Sequence, residues 1–592
     1  MFRFIARHPA AIVLALLLGL VAACAENPVT GERELSFIST QRELSIGDQQ
    51  YLPSQQGQGG RYRVDPELTA YVQSVGNRLA AVSDRQLPYE FVVLNNSVPN
   101  AWALPGGKIA VNRGLLVELN NEAELAAVLG HEIVHAAARH GAQAMERGML
   151  LQSAMVVGAI AVQDSPYADY AVGGAMLGAQ LLTQRYGRDA ERESDIYGIR
   201  YMARAGYDPA AAISLQETFV RLSEGRNSNW LDGLFASHPP SEERVRNNRA
   251  LVAELRAEGV TGGELGVERY QAATAFLRDT KPAYDAFDEA EQLIAQDRLE
   301  EASRKLDTAL SLVPDEARFL GLQADILVYE RRYEAAVQQY NRAIGEDPDY
   351  FDYYLGRGVA YSRLGQRQLA TEDLQASVKL LPTAMAMNEL GTLALQANDR
   401  TAAKQYFQLA AQGGGQVSQQ AGAAFARLDV VDNPASYVAV QPYVNAQGRL
   451  LARVQSSAPI TLRNVQVQFR AVVAGQVVTR SAVISAMAAP TASATAHQAS
   501  GSASRSRSPT SVESTCPPTT FAGCESGLPG TAKSSTQLAP NGAISSGICA
   551  RSVISPRQAI ASTPPAPAIS TSRGEGLGCG RARNLFMPFR IL

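Results

Sequence analysis

The sequence predicts an α+β protein: a mostly helical domain with a small sheet, then an α-helical repeat array and a small β unit. Three observations carry this. A strand-like segment, Pro99 to Asn112, bends at Gly106-Gly107 and leads into a helix over Glu122 to Met145. Pro314, Pro348 and Pro382 recur every 34 residues, the period of paired helices. Residues 435–487 turn to period-two alternation, as in Val465, Val467 and Phe469. A chain of 592 residues has room for roughly four such units.

Composition narrows the function. A net charge of −3 argues against a basic face for nucleic acid. Cysteine is confined to Cys24 and to Cys516, Cys524, Cys549 and Cys579. The body between them therefore holds neither a disulfide framework nor a thiolate metal site. Histidine is just as sparse. The body has only His131, His135, His140 and His238.

Residues 1–23 read as a secretory signal. Arg3 and Arg7 precede an uncharged run from Ala10 to Ala23, too short to span a bilayer. The run ends in Val21-Ala22-Ala23-Cys24, a lipobox pattern in which Cys24 becomes an acylated N-terminus and lipid replaces a helix as the anchor. Ala25 follows, as in Gram-negative lipoproteins sent to the outer membrane. Residues 24–60 then read as lipidated N-terminus and linker, ahead of a domain over residues 61–265.

The chemistry lies in that domain. Asn120 and Asn121 can cap the helix over Glu122 to Met145, and Glu122 and Glu124 suit its positive end. Within it stands His131-Glu132-Ile133-Val134-His135. The i, i+4 spacing puts both imidazoles on one face, near enough to share an ion, with Glu132 beside them as a base. Zinc in such a site needs a third protein ligand. His140 is badly placed, because the pattern with three histidines has its third one residue further on and a glycine where Ala138 stands. It reads as a packing residue or a support. Glu191 and Asp195, again i and i+4, lie on a helix ending at Gly206. One carboxylate can bind metal while the other orients an imidazole. Glu193 falls on another face and reads as solvated.

These residues, with Asn27-Pro28-Val29-Thr30-Gly31, Asn100 to Gly107 and Ser237-His238-Pro239, resemble the HtpX-like and CaaX-prenyl-protease-like zinc metallopeptidases. More narrowly, the chain resembles the periplasmic β-barrel assembly-enhancing proteases, which carry a TPR domain. The resemblance implies one Zn2+, with ligands His131, His135 and Glu191, Glu132 as catalytic base and Asp195 in support. It puts a substrate-pairing strand at Gly107, Lys108, Ile109 and Ala110. Ser194 departs from the family's usual alanine. His238, kept out of a helix by Pro239 and Pro240, is expected to approach the metal as a gate or fourth ligand. The glycine-, alanine- and leucine-rich residues 148–184 read as buried helices.

Ala302, Ala336 and Ala370 share the 34-residue period, and Ala403 follows after 33. With Ala309, Ala343, Ser377 and Ala410 they mark about four TPR repeats over residues 281–412, a surface for protein partners. In the family those partners are outer-membrane assembly machinery and unfolded barrel proteins, at the outer membrane of the periplasm. A β unit follows at residues 435–487, split by Asn445 to Gly448. Residues 488–592 turn Ser/Thr/Pro/Ala-rich and basic. They read as disordered, the pattern that a shifted reading frame would leave.

The expected function is a zinc endopeptidase for misfolded or stalled envelope proteins, with a possible chaperone role. The competing class is a TPR scaffold whose zinc domain is inactive or latent. Intact Glu132 favours the enzyme, since a purely structural site needs no general base.

Overall fold

A computed structural model describes residues 24–149, 187–225, 238–444, 450–473, 476–489, 511–513 and 551–554. The signal segment, nearly all of residues 148–184, Ser237, the Asn445 to Gly448 turn and most of the tail lie outside them.

The N-terminal body is built on a three-stranded sheet in the order β3 (Glu90–Leu94), β5 (Lys108–Asn112), β4 (Ala101–Leu104). Strands β3 and β5 run parallel; β4 and β5 form an antiparallel hairpin. The single strand expected over Pro99 to Asn112 is thus two. Gly106 and Gly107 turn the chain at φ +84° and +87°, where a Cβ would be strained.

Period-two alternation supplies both faces of this sheet. Val92, Leu94, Trp102, Leu104 and Ala110 pack with Tyr51 of helix α1 (Thr40–Gly57). Phe91, Val93, Ala101, Ile109 and Val111 join the main core with α2 (Pro66–Ala80) and the helix that carries His131. Large aliphatic side chains buried this fully contribute about 1.5–3 kcal/mol each.

Residues 24–60 are therefore not a linker. A hairpin, β1 (Cys24–Glu26) with β2 (Arg33–Leu35), leads directly into α1, which Ser39 caps. Asn27 turns its side-chain oxygen back to the N–H groups of Val29 and Thr30 and donates to the carbonyl of Ala138. The N-terminal motif thus closes the end of the catalytic helix.

The array departs from the period only at its ends. Helix pairs start at Lys281 and Leu299, Ala317 and Tyr333, Phe351 and Arg367, then Ala384 and Arg400. The periodic small residues Ala302, Ala336, Ala370, Ala403, Ala309, Ala343, Ser377 and Ala410 are all fully buried. Close helix approach explains their size. The first three pairs belong to one compact unit with the N-terminal body. Gln56 bonds the backbone of Asp349 and Phe351, Asn95 bonds Glu316, and the Arg113 guanidinium lies 3.6 Å from the Tyr284 ring centroid.

The second unit starts at Thr383. It holds the fourth pair, a further helix Gly415–Asp429 and two hairpins, β6 (Val438–Val444) with β7 (Leu450–Ser456) and β8 (Leu462–Val473) with β9 (Gln476–Met487). Within the supposedly disordered tail, Ser511–Glu513 pairs with β7 and Arg551–Ile554 with β8. An open hairpin edge offers unpaired N–H and C=O groups that an extended segment can meet.

Candidate metal centre

Helix α4 (Glu122–Ala137) is capped by Asn121, whose side chain accepts from the N–H of Glu124. The helix expected to reach Met145 breaks instead after Ala137. Arg139 takes φ +67°, an uncommon left-handed conformation for a side chain of this size. Its buried guanidinium explains the break, donating to Glu43 at 2.5 Å, Ser36 at 2.5 Å and the carbonyl of Ile38 at 2.6 Å. The chain resumes as helix over residues 140–149, which turns His140 back toward α4.

Helix α5 (Arg188–Arg204) crosses α4 where two glycines meet. A Cβ on Gly198 would stand 2.9 Å from the backbone nitrogen of His131, and one on Gly130 3.0 Å from the carbonyl of Gly198. Only this close crossing brings Glu191 and Asp195 beside the histidines. The sequence reading passed over both glycines, although Gly130 directly precedes the motif. Helix α6 (Ala211–Gly225) and helix α7 (Glu242–Ala257) complete the walls.

The side chains of His131, His135, Glu191 and His238 converge, each buried, with one ligand atom apiece inside 4.8 Å. His131 Nε2 lies 3.1 Å from His135 Nε2 and 3.3 Å from His238 Nδ1. Glu191 Oε1 lies 2.8 Å from His238 Nδ1 and 3.4 Å from His135 Nε2. Donors about 2.0–2.1 Å from a tetrahedral ion stand about 3.3–3.4 Å apart, so this quartet fits zinc in donor type and spacing. Asp195 Oδ1 meets His131 Nδ1 at 3.1 Å, the carboxylate–histidine arrangement that orients a ligand imidazole. Glu132 Oε1 is 3.6 Å from His238 Nε2, and Glu132 Oε2 is buried with no hydrogen-bond partner among the described residues.

Arg244 completes the cluster and was missed in the sequence. It sits six residues beyond His238, in the first turn of α7 after the Ser241 cap. Its fork donates to Asp195 Oδ1 at 2.6 Å and Oδ2 at 2.8 Å, and its Nη1 lies 3.1 Å from Glu191 Oε2. The only signal was one arginine shortly after the histidine loop, in a stretch that also holds Arg246 and Arg249. Glu193 also departs from expectation. It is not simply solvated, because its Oε2 meets His140 Nε2 at 3.1 Å.

Charge follows this geometry. Burial pulls the His131 imidazole down, but the bonds to Asp195 and Glu191 outweigh it and hold it at about 9. Burial holds His135 well below its usual value and pushes the Glu132 carboxyl up. Burial also opposes ionisation of Asp195, yet the Arg244 guanidinium keeps that carboxyl below its ordinary value. The cavity bounded by His131, Glu132, Asp195, His238 and Arg244 has a volume of about 40 Å³, enough to hold water.

The strand expected to receive substrate does not have a free edge. Lys108–Asn112 is the central strand, hydrogen-bonded on one side to β3 and on the other to β4. Gly107 lies in the turn before it, and Lys108, Ile109 and Ala110 are already paired. The outer edge beside α4 belongs to β4.

A buried histidine–carboxylate cluster on an HExxH helix defines a metallopeptidase. Residues 66–252 match Peptidase family M48, and residues 324–365 match the TPR repeat. The mitochondrial metalloendopeptidase OMA1 of Schizosaccharomyces pombe is 31% identical over 237 residues, 40% of this chain and 68% of that protein. The β-barrel assembly-enhancing proteases of Yersinia pestis and Escherichia coli are each 28% identical. They cover 61% and 58% of this chain, and 77% and 76% of their own lengths. The chain belongs to peptidase family M48 and is a metalloprotease with a TPR array. Among the described residues no helix is long and apolar enough to cross a membrane.

Proposed function

We propose that the chain is a zinc-dependent endopeptidase that acts on misfolded or stalled envelope proteins. His131, His135 and Glu191 would hold the zinc, with His238 as a fourth donor in the closed site. The convergence of these four buried donor atoms carries the reading. Zinc bound there supplies a Lewis acid that polarises the scissile carbonyl and acidifies a water molecule. Glu132 takes the proton on Oε2 and returns it to the leaving amine. Its Oε2 has no partner among the described residues and burial raises its affinity for protons, both of which suit a general base. Asp195, held by Arg244, orients His131.

His238 acts as a gate in this reading. His238 Nδ1 lies 2.8 Å from Glu191 Oε1 and 3.3 Å from His131 Nε2, in the position a substrate carbonyl or water would take on the metal, so His238 would leave it before substrate enters. An extended substrate then adds to the outer edge of β4, Ala101–Leu104, which pairs with no further strand among the described residues. The TPR array selects protein partners through faces not already bonded to the peptidase body. Similarity to β-barrel assembly-enhancing proteases supports unfolded outer-membrane proteins as substrates and assembly machinery as partner, with a possible chaperone role. Acylated Cys24 would tether the enzyme at the periplasmic side of the outer membrane. The proposed layout is a leader over 1–23, a peptidase body over 24–265, an array over 281–412 and a β unit over 435–487.

Casein hydrolysis by the purified chain tests this. A chelator should abolish it and zinc restore it, while Glu132→Gln keeps stoichiometric zinc and loses hydrolysis. Full activity in that variant refutes the assignment. His238→Ala should hydrolyse casein faster than the parent if His238 is a gate; an unchanged rate and unchanged zinc content refute the gate.

A further inference from the structure

His140 and Glu193 are unused by the mechanism above, yet they form a directed chain to a proposed ligand. Glu193 Oε2 lies 3.1 Å from His140 Nε2, and His140 Nδ1 lies 3.0 Å from His135 Nδ1. His140 is 1% exposed, while the Glu193 side chain reaches the surface at 28% exposure.

The directions follow from the donors available. A carboxylate only accepts, so His140 Nε2 carries the hydrogen toward Glu193. A neutral His140 then has its lone pair on Nδ1, which can only accept from His135. That places the His135 hydrogen on Nδ1 and leaves a lone pair on His135 Nε2, the atom facing His131, Glu191 and His238. The opposite tautomer would point an N–H at the metal position, which cannot ligate a cation. Asp195 sets His131 in the same sense with one carboxylate; His135 is set through an intervening imidazole.

We propose that Glu193 and His140 form a positioning relay that fixes the tautomer and ring orientation of His135, and so tunes metal affinity. The proposal rests on the zinc-site reading and deepens it. Ser194 Oγ also approaches His140 Nδ1, but at 3.5 Å, too long to compete with the 3.0 Å contact.

The test is zinc affinity of the full chain, measured by competition with a chromogenic chelator. His140→Phe removes the acceptor at similar size and should weaken zinc about tenfold to a hundredfold. Glu193→Ala, at the surface and safe for folding, should weaken it about tenfold by freeing the His140 tautomer. His140→Asn puts a carbonyl oxygen near the Nδ1 position and should recover most of the loss, which a merely space-filling role would not predict. Ser194→Ala should leave affinity unchanged. Parent affinity in both His140→Phe and Glu193→Ala overturns the relay, as does His140→Asn binding no tighter than His140→Phe. A parent chain that binds no zinc overturns the site reading itself, and the relay with it.

Discussion

Removing the Arg244 guanidinium probes how the site is held together. Arg244→Met keeps most of the side-chain volume and deletes the charge. The arginine side chain is 12% exposed and its partner Asp195 10%, so both are largely withdrawn from water. Two bonds, 2.6 and 2.8 Å, and a third contact to Glu191 at 3.1 Å would be lost together. Breaking a buried ion pair by removing one partner costs about 3–5 kcal/mol, because the other charge stays buried. Domain stabilities are about 5–15 kcal/mol, so the variant should fold but unfold at clearly lower urea. With Asp195 free to reorient, His131 loses its alignment, and zinc affinity should fall about tenfold to a hundredfold. Arg244→Lys should recover only part, since one ammonium cannot bridge both Asp195 oxygens and Glu191. Urea titration of the chelator-treated chain and zinc competition measure the two effects. A loss below about 1 kcal/mol, the range of an exposed pair, with unchanged zinc affinity refutes this account.

Other outcomes follow from the same structure. Gly198→Ala places a Cβ 2.9 Å from the His131 backbone, so the helices must separate; zinc content and casein hydrolysis should drop while far-ultraviolet circular dichroism stays near parental. Asn27→Ala leaves the Val29 and Thr30 N–H groups without their acceptor and the Ala138 carbonyl with only the Gln143 amide, and should cost about 1–3 kcal/mol in denaturant unfolding. Burial and the neighbouring Asp352 push the Asp325 carboxyl up to about 8. A folded value above the unfolded one of about 3.9 makes its contribution full below that value and progressively lost as pH rises toward 8. Asp325→Asn should therefore flatten the fall in urea midpoint across that window, and an equal slope in both chains would disprove the assignment.

Much of the site was legible because its information is local. The i, i+4 spacing of His131 and His135 follows from helix geometry alone, as does that of Glu191 and Asp195. The array was legible because a 34-residue period repeats the same close helix contact, and each small residue in it is buried. The asparagine cap and the Gly106-Gly107 turn are likewise set by residues near in sequence.

What stayed hidden depends on distant partners. The catalytic helix ends after Ala137 because Arg139 is captured by Glu43, Ser36 and Ile38, about a hundred residues away. Arg244 looks like any surface arginine until α7 folds against α5. The family resemblance puts a substrate-pairing strand at Gly107 to Ala110, and only the pairing with both Glu90–Leu94 and Ala101–Leu104 shows Lys108–Asn112 to be the central strand. The sequence by itself determined the spacing of the histidines and carboxylates and the helical period, because both are written in short spacings. The tertiary structure alone decided which strand lies in the centre of the sheet, which charges are buried together and that His238 comes to lie beside His131, His135 and Glu191. Those depend on non-local packing, where burial and pairing set the energies.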